Sequence, residues 1–324
     1  MSLDKPSLTH RLLADMALLF ITVIWGSTFF MVDQAIETVN VMTFLAFRFT
    51  IALIVLLIVF SYQLYKFKIT WGAVWRGMVI GLFLFIGYSF QTFGMAVGTE
   101  PGKTAFITGL YVVLVPIFAS LLLKKPPHYL SWIGIVVAVG GLALLSIDSF
   151  NLQFSDILGD LLVFIGAFGY AFHIIFIDKF VEKIHYSSLV VFQTGTVAIL
   201  AWIASAISWD ENFAFTHTYF TNQVIFTIVF TGVIATALIL AAQTFAQKKT
   251  TPTHVALIFT MEPVFGALFA FIFVHEVPTV RQWIGCALIL ASMIFQQLID
   301  IYLNRRKTQR IIEQSIAEEN RIVE

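Results

Sequence analysis

Glu262 sits near the middle of an apolar run, with Ala256-Leu257-Ile258 before it and Pro263-Val264-Phe265 after it. A charge at the centre of a bilayer costs roughly 2.5 to 3.5 kcal/mol even on the gentle insertion scale, so such a residue needs a reason to be there. Two more ionisable groups share this setting. Arg48 lies a turn or less outward of the middle of a second apolar run, and His173 about one turn inward of the middle of a third. Glu262 admits two readings: a substrate- or proton-binding group, or a structural partner of Arg48 or a neighbouring hydroxyl. Arg48 likewise is either a cavity charge or an anchor of helix packing. Pro263 removes one amide donor beside Glu262 and frees the carbonyl of Phe259, which predicts a kink; Pro116 frees the carbonyl of Val112 in the same way. Kinked helices beside polar groups line cavities, but many are only tolerated bends.

Around these charges stand neutral hydrogen-bonding groups. Trp25-Gly26-Ser27-Thr28-Phe29 combines a large ring, a bare backbone position and two hydroxyls, and Gln91, Thr108, Tyr111, Tyr170 and Gln243 lie inside other apolar runs, as do Tyr88 and Gln193. The set suits a small polar or zwitterionic solute resting on Trp25, with interhelical hydrogen bonding as the alternative for each residue. Gly77 and Gly81, and Gly134, Gly140 and Gly141, read as helix-packing surfaces. No G-x-x-x-x-G-K-[ST] loop supports ATP hydrolysis, His275-Glu276 lacks the second histidine of a zinc helix, and no G-x-S-x-G elbow is present. The expectation is a non-enzyme with no cofactor, no metal site and no nucleic-acid partner.

The elements that must hold these residues follow from composition. The chain is 59% hydrophobic and 12% charged with a mean hydropathy of +0.90, against about 25% charged for soluble domains. At roughly 20 apolar residues per crossing, ten spans are predicted near 16–34, 41–62, 75–96, 103–123, 129–146, 160–179, 186–208, 224–246, 253–274 and 282–303. They are too long and too uniformly apolar for barrel strands, so helices are expected. The fold class is an all-α polytopic membrane protein. With a cytoplasmic amino terminus, every Lys and Arg except Lys103, Arg281 and the in-span Arg48 falls on the cytoplasmic side, so both termini are expected in the cytoplasm. The aromatic connection at 209–223 is expected at the interface. Residues 304–324 are read as a cytoplasmic tail, either extending the last helix or lying on the surface. Cys286, the single cysteine, excludes an intramolecular disulfide.

The chain also repeats itself. Gln91-Thr92-Phe93 returns as Gln243-Thr244-Phe245, and Trp132-Ile133-Gly134 as Trp283-Ile284-Gly285, 152 and 151 residues later. Glu37 aligns with Glu182, Arg48 with Gln193 and, across a small gap, Gly26 with Gly169. A unit of five spans is odd, so the second copy must enter the bilayer upside down. The organisation predicted is a first repeat at 1–150 and an inverted second repeat at 151–303. Inverted repeats are characteristic of secondary transporters, with substrate sites near the midplane.

These motifs are similar to those of the EamA-type permeases of the drug/metabolite transporter superfamily, from about Asp15 to Tyr302. The resemblance is carried by Trp25-Gly26-Ser27-Thr28-Phe29, Phe47-Arg48-Phe49, Phe106-Ile107-Thr108-Gly109-Leu110-Tyr111 with Val115-Pro116, Ala256-Leu257-Ile258, Glu262-Pro263-Val264-Phe265 and Glu276 with Gln282-Trp283-Ile284-Gly285. It implies two inverted five-helix bundles, spans one to four and six to nine around a central cavity, and spans five and ten at the periphery. It also implies export, or sometimes uptake, of small metabolites such as amino acids. Glu276 departs from the first half, where the corresponding end reads Leu123-Lys124-Lys125-Pro126-Pro127.

The expected function is therefore a secondary active transporter, read as an exporter, working by alternating access in a bacterial inner membrane. Its energy would come from protons or another ion or solute gradient, and a homodimer is left open. Glu262 is the candidate coupling group. The competing reading is a non-transporting membrane interaction protein or subunit on the same scaffold.

Overall fold

The computed structural model describes residues 8–124, 126–146, 154–207, 220–269, 271–272 and 277–323. Those residues are almost entirely helical: α1 (Leu8–Ile36), α2 (Val41–Lys66), α3 (Trp71–Ala96), α4 (Pro101–Gly109), α5 (Tyr111–Leu123), α6 (Ser131–Ser146), α7 (Phe154–Val181), α8 (Tyr186–Ile207), α9 (Asn222–Gly232), α10 (Ile239–Gln247), α11 (Pro252–Phe259), α12 (Glu262–Phe269) and α13 (Val280–Val323), with a π-helical turn, Val233–Leu238, between α9 and α10. The local code for the helix starts is plain. Asn40 accepts from the amides of Met42 and Thr43 at the head of α2, Thr70, Thr221 and Thr251 cap α3, α9 and α11, and Pro101 and Pro252 open α4 and α11, where a missing donor is harmless.

Among the described residues nine helical stretches are long and apolar enough to cross a membrane. Three expected spans are composite: α4 with α5, α9 with the π turn and α10, and α11 with α12. The fifth is shorter than expected, because α6 has 16 residues, about 24 Å at the α-helical rise. The last helix is longer, α13 running unbroken for 44 residues, so the tail continues the final span. The 209–223 connection falls largely outside the described residues, as does Glu276.

Contacts sort the helix ends onto two faces. Gln34 at the end of α1 meets Gln223 at the start of α9, and Lys103 in the first turn of α4 meets Asp160 in α7. On the other face Asp15 near the start of α1 meets His254 in α11 and Gln297 in α13, while Phe67, just past α2, stacks on His185 ahead of α8. Thus α1 begins on one face and α7 on the other.

The tightest seam joins α3 to α7. A Cβ built on Gly169 would lie 2.5 Å from the Gly87 amide nitrogen, one on Gly94 would lie 2.3 Å from Val163, and one on Gly87 would strike the Tyr170 ring. Only glycine permits such backbone approach. Gly77 and Gly81 serve α3 similarly against Phe192 and Gln193 of α8. At the periphery α6 lies along α13, where Gly141 and Gly285 face each other, while Gly140 meets nothing and Gly134 only ordinary contacts. Outward-facing Ile58, Leu121 and Val136 are largely exposed, which suits hydrocarbon rather than water.

Candidate functional site

The fourth and ninth spans break at the same point of the two halves. Leu110 N bonds Ile107 O at 3.2 Å between α4 and α5, and Met261 N bonds Ile258 O at 3.0 Å between α11 and α12, each acceptor and donor displaced by the same 151 residues that separate Pro101 from Pro252. These tight i→i+3 turns replace α-helical bonds. In consequence Tyr111 opens α5 and Glu262 opens α12, at equivalent positions. The break by Glu262 falls immediately ahead of Pro263, which sits where α12 starts and its missing donor costs little. The other break lies at Leu110 rather than at Pro116, which is inside α5. A carboxylate in a first turn also meets the favourable end of the helix dipole.

Around these breaks lies a cavity whose empty space, counted together with the part open to the outside, is about 690 Å³. Trp25 and Thr28 of α1, Arg48 of α2, Gln91 of α3, Thr108 of α4, Tyr111 of α5, Tyr170 and His173 of α7, Gln243 of α10 and Glu262 of α12 all line it. Sequence reasoning singled out each of these. Ser27 does not line it; its hydroxyl donates to the Ile24 carbonyl at 2.7 Å. Tyr88 lines it too, though read at first only as a neutral hydrogen-bonding group. Phe29, Val32, Met95 and Phe259 also face the space. Their signal was spacing: Phe29 and Val32 follow Trp25 by one and two turns, and Phe259 precedes Glu262 by one. The lining runs outward to Val32 and Met95, so the cavity extends toward the face where α1 ends.

Three polar threads tie the walls together. Arg48 Nε donates to Thr236 Oγ1 at 2.8 Å, Nη2 reaches Tyr88 Oη at 3.4 Å, and the guanidinium lies 4.6 Å from the centre of the Tyr88 ring. Gln91 Nε2 donates to Thr108 Oγ1 and its Oε1 accepts from Tyr170 Oη, both at 2.9 Å. His173 Nε2 and Gln193 Oε1 are 3.1 Å apart, with Gln193 Nε2 donating on to Thr244 Oγ1 at 3.4 Å. Trp25 Nε1 donates to the Ala235 carbonyl at 2.9 Å, and its ring meets Phe259 edge to face at 5.2 Å. Both Ala235 and Thr236 belong to the π turn, whose wider i→i+5 pattern frees backbone acceptors at functional positions.

Glu262 is the exception. Among the described residues it makes no hydrogen bond and no ion pair, and Arg48 acts on it only through space. Gln243 Oε1 is also buried without a partner. The pairing of Glu262 with Arg48 or a hydroxyl, one of the two sequence readings, is therefore absent. The arrangement offers one carboxyl and one amide acceptor on one side, a guanidinium on another, and an aromatic wall from Trp25 and Phe259 between. It can receive a small molecule bearing both charges and an apolar part.

Comparison with known proteins agrees with this architecture. The profile of the EamA-like transporter family matches residues 12–147 and again residues 157–296. An uncharacterized transporter of Archaeoglobus fulgidus is 31% identical over 292 residues, 89% of this chain and 87% of its own length. The uncharacterized transporter YoaV of Bacillus subtilis is 21% identical over 285 residues, 86% of this chain and 94% of its own. A protein of known crystal structure shares the fold with a TM-score of 0.74 at 16% identity, covering 88% of this chain and 98% of that one. The chain belongs to the EamA-like transporter family and is a membrane transporter.

Proposed function

We propose that the protein is a secondary active exporter of small zwitterionic metabolites, such as amino acids or related solutes, in a bacterial inner membrane with both termini in the cytoplasm. Residues 1–150 and 151–303 are inverted five-helix repeats that rock about the cavity, and 304–324 form a cytoplasmic tail. Support for the inversion comes from the equivalent breaks before Tyr111 and Glu262 and from α1 and α7 beginning on opposite faces. Broken helices at corresponding positions of two halves are the best pointer to a transporter's binding site.

The observation that carries the reading is the free Glu262 carboxyl facing Arg48 across one cavity without a direct pair. A solute carboxylate fits Arg48, a solute ammonium fits Glu262 and Gln243 Oε1, and an apolar side chain rests on Trp25 and Phe259. A proton competes with the ammonium for Glu262, which couples the solute to a proton gradient. Microcalorimetry on detergent-solubilised protein with an amino-acid panel, each member beside its amide and its N-acetyl derivative, tests this. Binding that needs both charged ends is expected. Derivatives lacking one charge that bind as tightly as the parents would sink the zwitterion assignment.

A further inference from the structure

Away from the cavity, on the face opposite its mouth, His254 Nε2 lies 3.1 Å from Asp15 Oδ1, and Gln297 Nε2 donates to Asp15 Oδ2 at 3.0 Å. The cluster joins α1, α11 and α13. On the mouth face Lys103 Nζ lies 2.6 Å from Asp160 Oδ2, joining α4 to α7, with Thr99 Oγ1 donating to Asp160 Oδ1 at 3.4 Å. Lys103 and His254 are separated by 151 residues, the offset of the broken helices. Each stands in the first turn of such a helix, paired with an acid near the start of the helix that opens a half.

The two pairs differ in two ways. Lys103 and Asp160 side chains are 30% and 23% exposed, whereas His254 and Asp15 are 3% and 16% exposed. The cavity lining reaches toward the face of the first pair and includes neither member of the second. Moreover a lysine is charged throughout the physiological range, while an imidazole gains its charge only on protonation, near pH 6.5 in water.

We infer that Asp15 and His254 form a second proton-binding site that biases which face of the transporter is open. This rests on the alternating-access reading above. With the imidazolium formed, Asp15 is neutralised within a buried pair and the face stays shut. With the imidazole neutral, an acid largely out of water keeps neutral donors, His254 Nε2–H and Gln297, but loses the opposite charge, a cost that opening and hydrating this face relieves. Protons thus favour the state seen here, and their loss favours the opposite one, by linkage.

Charged and titratable groups on the helices packed on α11 are these. Asp15 lies on α1 with His10 and Arg11 about a turn before it, and α5 carries no charged residue before Lys124 at its end. The inward part of α7 carries His173, Asp178 and Lys179, and α13 brings Gln296 and Gln297 with Asp300 one turn on. Lys248 and Lys249 precede α11 in its own chain. The lysines keep their charge over the relevant range, so they shift the midpoint without creating the step.

The test measures the distance between nitroxides on Thr38 and Ile157, both exposed on the mouth face, by pulsed electron resonance in nanodiscs from pH 5.5 to 8, with Cys286→Ser removing the native thiol. The parent is expected to lose its open-mouth fraction as pH rises, with the open-to-shut ratio falling about fivefold or more. Measured in a Glu262→Gln background, which removes the cavity carboxyl's own proton, a step is expected to remain, and His254→Lys, which copies the Lys103 pair, and His254→Gln are expected to abolish it. A step that persists in both His254 variants of that background, or that is missing from the background itself, overturns the second site while leaving alternating access standing. A single unchanging distance in the parent at every pH and with an added amino-acid mixture overturns alternating access itself.

Discussion

The seam between α3 and α7 and the one between α1 and the composite eighth span are equivalents under the proposed inversion, yet they are built differently. In the first, Gly87, Gly94, Gly166 and Gly169 bring two backbones into direct contact. In the second, side chains do the joining: Trp25 reaches the Ala235 carbonyl, Gln34 meets Gln223 on the mouth face, and Leu18 and Ile21 share a cluster with Ile239 and Ala246 toward the opposite one. A backbone seam has no slack, while a side-chain bridge at a π turn can be made and broken. The contrast teaches where the fold is locked, along α3 and α7 by backbone contact, and where it is held by side chains, between α1 and the composite eighth span.

Enlarging the backbone seam should break the contrast most severely. Gly169→Leu forces side-chain atoms into the Gly87 backbone and is expected to cost about 1 to 3 kcal/mol or more, read as a lowered unfolding midpoint in detergent. Gly266→Ala is the control, because a Cβ there meets only Gly26 O at 3.6 Å; a change within about 0.5 kcal/mol is expected. If both behave alike, the α3–α7 seam is not the tight backbone contact its geometry describes. Arg48→Lys should come next. A lysine keeps the charge but cannot reach both Thr236 and Tyr88 as the guanidinium does, so solute affinity is expected to fall roughly tenfold, with folding intact by circular dichroism. Trp25→Phe sharpens the comparison by removing only the bond to Ala235, a loss of about 1 kcal/mol in stability, with a shift toward a parted α1 in the same nitroxide experiment.

The smallest effect concerns a group outside the spans. Burial, and then the neighbouring Lys248, hold the His185 imidazole below its ordinary pKa, and the ring stacks on Phe67 at 4.0 Å. The folded chain therefore binds this proton less readily than the unfolded one. Its contribution to stability is fully present above the unfolded value, near 6.5, and is lost as pH falls from there through the lower folded one. The unfolding midpoint of His185→Gln should lack this small acid-side decline, as a pH series of melts would show.

Much of this arrangement was legible in the chain because lipid makes polar residues scarce. Glu262, Arg48 and Gln91 were conspicuous for their cost at depth, and each lines the cavity. Ser27 and Thr28 show the limit of that logic, since both hydroxyls satisfy themselves on the preceding turn and yet only Thr28 lines the cavity. The break before Tyr111 was misplaced because proline is the visible signal and Pro116 lies farther along. The π turn at Val233–Leu238 left no trace in residue type, because its reason lies in partners, Trp25 and Arg48, about 200 residues away. Nor could the partner of Arg48 be read: the depth of Glu262 suggested a pair, whereas Thr236 and Tyr88 take the guanidinium and leave the acid alone.

Reconstituting the transporter in liposomes with a pH-sensitive dye inside, and adding an outward gradient of a solute found to bind, tests the central claim most directly. Solute-driven proton movement is expected with the parent and should be lost with Glu262→Gln, with folding intact by circular dichroism. Proton movement in the variant equal to that of the parent contradicts the assignment and makes Glu262 a structural residue.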